Sequence, residues 1–150
     1  MSGSSKETAT LNTLLATLND SINGYRDAAE NAESGRFQEL FQKLASDRSR
    51  VSESLRNRIT ALGGTPDNDG SFLGKTHQRF LDLKAAVMGR DDKAIINEVE
   101  RGEDYLKDKF ETALKEGDLS ADSQSAVETA YQSVRTGNDQ IRYLKHGMEA

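Results

Sequence analysis

The sequence predicts an all-α fold: four long helices in two antiparallel hairpins, joined by a long crossover that carries a short helix of its own. Three observations predict it. Apolar residues recur at heptad spacing in four separate segments, and no segment alternates with period 2 over a useful length. The stretch between the second and third segments is also far longer than a bundle turn requires. At 150 residues the chain holds one domain and one sizeable core. Leu, Ile, Val and Phe make up 20% of it and the mean hydropathy is -0.73, values near those of disordered chains. However, 20 basic against 25 acidic residues leave a net charge of only -5, too balanced for self-repulsion to hold the chain open. Thirty per cent charge with a single Pro and no Trp fits long solvated helices with a thin apolar seam.

The first seam is Leu11, Leu15, Leu18, Ile22, Tyr25, Ala29 and Ala32, widened by Leu14 and Ala28, on a helix over about residues 7–33. Gly35 marks the turn that follows. The second seam runs Phe37, Phe41, Leu44, Arg48, Val51, Leu55, Ile59, Leu62 and stops at Gly63-Gly64. Thr65 to Gly70 form a turn cluster holding the only proline. A shorter helix is expected over about 71–88, with Phe72, Phe80, Leu83 and Val87, broken at Gly89. The third long seam is Ile95, Ile96, Val99, Gly102, Glu103, Leu106, Phe110, Ala113 and Leu114, ending at Gly117. Ser120 or Asp122 caps the last helix, whose seam is Val127, Ala130, Tyr131, Val134, Asn138, Ile141 and Leu144, before Gly147.

Connection lengths select the topology. The links near Gly35 and at 117–119 are a few residues each, so each joins an antiparallel pair. The 63–90 link is long enough to travel back along a helix of ~40 Å. Two hairpins joined by one such crossover is the ferritin-like four-helix arrangement. Residues 1–6 are expected to be disordered and residues 7–147 to form a single four-helix-bundle domain. No apolar run follows Lys6, so no secretory signal is expected and the protein is read as cytoplasmic.

Several chemistries are excluded or disfavoured. No stretch approaches the apolar length of a membrane span. Without Cys there are no disulfides or thiolate metal sites. A pI of 5.1 argues against a nucleic-acid module, and Gly63-Gly64 lacks the Lys-Ser/Thr of a P-loop. A ferritin-type di-iron centre needs Glu-x-x-His on two helices. The two histidines, His77 and His146, have Gly74 and Tyr143 at that position, so the motif is missing. No cofactor is expected.

What remains is polar residues at seam positions. Glu98, Glu100, Glu103 and Asp104 cluster on the third long helix, mostly as a solvated face with Arg101 and Lys107. Glu103, however, falls between Val99 and Leu106, Arg48 between Leu44 and Val51, and Asn138 between Val134 and Ile141. Buried charges must pair, and the expected partners are Arg48 and Glu103, directly or through Tyr25 or Asn138. Tyr25, Arg48, Glu103 and Asn138 therefore define a candidate buried polar layer that fixes helix register, with a ligand or metal pocket at mid-bundle as the sharper reading. Tyr25 and Tyr131 are expected in the core with their hydroxyls tied into this layer. Gly102 within a helix implies a close approach of another helix facing it.

The string Glu98-Val99-Glu100-Arg101-Gly102-Glu103-Asp104 resembles a motif of bacterial ferritin-like four-helix-bundle proteins that carry a domain-of-unknown-function label. Gly24-Tyr25, Ala28-Ala29-Glu30, Leu62-Gly63-Gly64-Thr65-Pro66 and Gly70-Ser71 leading to His77 support the resemblance, which spans about residues 8–145. That family usually shows Cys where Val99 stands, Trp where Phe80 stands and His where Asn138 stands. The resemblance implies a ferritin-like bundle in a bacterial, stress- or envelope-linked setting with no established activity.

The resulting reading is a non-catalytic binding or structural protein lacking the usual di-iron site. One alternative is a carboxylate-rich metal-binding protein (Fe, Mn or Zn) using Glu30, Glu100, Glu103 and His77. A second is a helical module for a protein or membrane partner, with an exposed apolar patch on the Phe72–Phe80 segment. The partner is not specified by the sequence, and a homodimer is one option.

Overall fold

A computed structural model describes residues 2–68, 80, 82–116 and 118–149. Among them 86% are helical and none lies in a strand. The elements are α1 (Ser2–Asn31), α2 (Gly35–Ala61), α3 (Leu83–Met88), α4 (Asp92–Glu116) and α5 (Ala121–Glu149). The four long helices follow the four seams. α1 begins at Ser2, ahead of the expected start near residue 7, because its first turns have partners distant in sequence. The buried Glu7 carboxylate accepts hydrogen bonds from the amide and hydroxyl of Ser120, just before α5, and Lys6 pairs with Asp118. The short helix expected over 71–88 is helical only over Leu83–Met88 among the described residues, and Phe72 and His77 lie outside them.

Contacts at the two ends fix the topology. The start of α1 meets Asp118 and Ser120 between α4 and α5, and Arg58 near the end of α2 donates to Ser123 at the start of α5. At the opposite end Glu33, just after α1, pairs with Arg90, just before α4. The packed neighbours α1–α2, α2–α5, α5–α4 and α4–α1 are thus all antiparallel, while α2 and α4 run parallel across the diagonal. Leu62 therefore lies at one end of the bundle and Arg90 at the other.

α1 fastens the described part of the crossover at Thr65, Asp67 and Phe80. Leu62 caps the end of α2, and Gly63 takes a left-handed φ of 84° that only glycine adopts cheaply. Asn12 then donates to the Thr65 carbonyl and accepts from the Asp67 amide, at 2.9 and 2.8 Å. Asn19 donates to both the carbonyl and the carboxylate of Asp67, and Asp20 accepts from the Phe80 amide. Beyond this point α3 packs against both α1 and α4. Polar residues on α1 thus satisfy crossover backbone that would otherwise be costly to bury.

The core has two halves. One is built on Phe37, Phe41, Leu44, Phe80, Val87, Ile96 and Val99, and the other on Leu11, Leu15, Leu18, Leu55, Leu106, Phe110 and Val134. Arg48 and Glu103 lie between them along α2 and α4.

Candidate functional site

The layer between the two halves draws one residue from each of three long helices. Heptad spacing puts Tyr25 of α1, Arg48 of α2 and Glu103 of α4 on inward faces, and all three have 0% exposure. Arg48 grips Glu103 through both ends of its fork, Nη1 to Oε2 at 2.8 Å and Nη2 to Oε1 at 2.5 Å. The Tyr25 hydroxyl donates to Oε2 at 2.5 Å. Two charges removed from water are tolerable only with such geometry, since each would alone cost several kcal/mol. The pair crosses the diagonal of the bundle, so it ties together two helices that are not packed neighbours.

Small residues make room for it. A β-carbon on Gly137 of α5 would lie 2.6 Å from Nη2 of Arg48 and 3.2 Å from Cδ2 of Leu44. On the α1–α4 side, Phe80 from the crossover fills the space left by two glycines. A β-carbon on Gly24 would stand 2.5 Å from its Cβ, and one on Gly102 2.6 Å from its Cζ. The Phe80 ring meets Tyr25 edge-on at 5.2 Å, while Phe41 stacks on Tyr25 at 5.7 Å. The close approach expected at Gly102 is therefore made by an aromatic ring of the crossover rather than by another helix.

Electrostatics follow from this enclosure. Burial, then the adjacent Glu103 carboxylate, push the Tyr25 hydroxyl well above its usual range, so it is a neutral donor at all ordinary pH. For Arg48 burial alone would favour loss of the proton, but the Glu103 carboxylate outweighs it and holds the guanidinium charged. The arrangement is a closed ion pair with a phenol cap, and both carboxylate oxygens are engaged.

The family described as a domain of unknown function, DUF2383, matches residues 6–116. The chain belongs to that family. The matched stretch of the DUF2383 chain holds Tyr25, Arg48 and Glu103, while Gly137 and Asn138 on α5 lie beyond it. No curated protein matches the chain in sequence.

Other residues singled out in the sequence fall elsewhere in the DUF2383 chain. Asn138 is buried beside the layer but turned to its α4 edge, donating to Asp104 at 3.2 Å and accepting from Arg142. Tyr131 is not tied into the layer: half-buried, it donates to Glu111 on the surface, and that hydrogen bond raises its hydroxyl. Glu30 is exposed on α1, and Glu100 pairs with Lys145 at 2.8 Å. Among the described residues no three His, Asp or Glu side chains form a group able to hold a metal, and His77 lies outside them. Phe80 is 3% exposed, so it forms no surface patch. No helix among the described residues is long and apolar enough to cross a membrane.

The sequence does not single out Gly137 or the α1 residues Asn12, Asn19 and Asp20, and Gly24 enters it only through the family resemblance. Gly137 carried the same signal as Gly102, a glycine inside a helix beside a seam position. The α1 residues carried none, since their partners lie 48 to 60 positions away.

Proposed function

We propose that this DUF2383 chain is a ferritin-like bundle acting as a non-catalytic binding or structural protein in the bacterial cytoplasm, in a stress-linked setting. One observation carries the reading. At mid-bundle, where di-iron proteins of this architecture gather carboxylates and histidines around metal, a guanidinium occupies both oxygens of the central carboxylate. Arg48 supplies internally the positive charge that Glu103 needs, and Tyr25 takes a further lone pair. The element order supports the same reading, since α2 ends and α4 begins at opposite ends of the bundle. A metal using Glu103 would have to displace a bidentate, fully desolvated partner.

The test is elemental analysis of protein purified aerobically, followed by oxygen consumption on adding Fe(II). Substoichiometric Fe, Mn and Zn, with oxygen uptake at the level of an albumin control, are expected. Near-stoichiometric metal, or uptake well above the control, would instead support the carboxylate site built on Glu30, Glu100, Glu103 and His77.

A further inference from the structure

We infer that Phe80 is a plug borne by the crossover: its seating between Gly24 and Gly102 is what seals the Tyr25–Glu103–Arg48 layer from solvent. The inference rests on reading the bundle centre as a closed ion pair, and adds how it is closed. Between α1 and α4 the layer is covered by a side chain from outside the four long helices. Phe80 lies against the Tyr25 ring at 5.2 Å and occupies the volume that β-carbons at positions 24 and 102 would take. Its backbone is fastened to α1 by the amide hydrogen bond to Asp20, 3.3 Å long.

A single ring seated from outside the long helices is easier to displace than a helix. Docking of the crossover and protection of the buried carboxylate are then one event. Any change that ejects Phe80 admits water to Tyr25 and Glu103 while the four helices stay formed. Gly24 and Gly102 are, in this account, seat residues: they could not be larger without expelling the plug.

Tyrosine nitration by tetranitromethane, mapped by mass spectrometry, tests this with an internal reference, because Tyr143 is 84% exposed. In the wild type Tyr143 is labelled and Tyr25 is protected. Phe80→Ala and Gly102→Ala, each with helical circular dichroism retained, should raise Tyr25 labelling by about tenfold or more, because labelling follows the population of the opened state. Combining Gly102→Ala with Phe80→Leu shortens the plug to fit the new β-carbon and should restore protection. If Gly102→Ala does not fold, folding and protection of that double variant support the seat directly. Tyr25 remaining protected in both single variants, or unprotected in the double variant, overturns the plug. Labelling of Tyr25 in the wild type at the rate of Tyr143 would instead overturn the closed centre itself.

Discussion

Gly137 and Arg48 are matched across the α2–α5 interface: a β-carbon on the glycine would sit 2.6 Å from the Nη2 atom that grips Glu103. Position 137 therefore sets how close α5 comes to the ion pair. Alanine is ordinarily the better helix former by about 1 kcal/mol. At this position overpacking should outweigh that gain.

Gly137→Ala is accordingly expected to lower stability by ~1–3 kcal/mol. Gly147→Ala, on the same helix with nothing within 4 Å of the new β-carbon, should be neutral or stabilising by up to ~1 kcal/mol. Urea midpoints for the two variants check the contrast. Equal effects would mean that Gly137 is not constrained by Arg48.

The fastening of the crossover predicts a second pattern. Asn12→Ala and Asn19→Ala each remove a buried hydrogen bond to an Asp67 backbone group, a loss of ~1–3 kcal/mol apiece. Because both asparagines hold the same residue, the double variant should lose less than the sum. Thermal or urea unfolding of the three variants measures this.

These cases show what could be read from the sequence. The long helices were legible because heptad spacing is a local signal. Arg48 and Glu103 were legible because a charge between two apolar seam positions stands out. That they pair follows from burying two opposite charges on facing seams, and the structure shows the pair; their common level could not be counted from the sequence, since the crossover leaves the slide between hairpins open. Asn12, Asn19 and Asp20 looked like an ordinary polar face of α1, and only the distant backbone of Thr65, Asp67 and Phe80 gives them a role. Asn138 and Tyr131 sit at seam positions, yet their polar groups reach Asp104 and Glu111 at the bundle surface. Periodicity assigns a helix face but not the direction of a side chain's polar end.

Alkaline pH provides another test. The Tyr25 hydroxyl is raised in the folded state by burial and by Glu103, so the unfolded chain releases its proton first. The stabilisation is complete below the ordinary value of 10.0 and is lost as pH rises from there toward the higher folded value. Wild-type stability should fall from about pH 9–10 upward more steeply than that of Tyr25→Phe. Urea midpoints across this range give both slopes. Parallel slopes would show that Tyr25 is not held as a buried neutral donor.

The most direct measurement of the central claim is a double-mutant cycle on Arg48 and Glu103, read by equilibrium denaturation. Arg48→Ala and Glu103→Ala each strand a buried charge and should each cost ~3–5 kcal/mol. The double variant strands neither and should recover much of that loss, giving a coupling energy far above the ~0.5 kcal/mol of independent sites. Additive losses, or single variants costing under ~1 kcal/mol, would contradict a closed ion pair at the centre of the bundle.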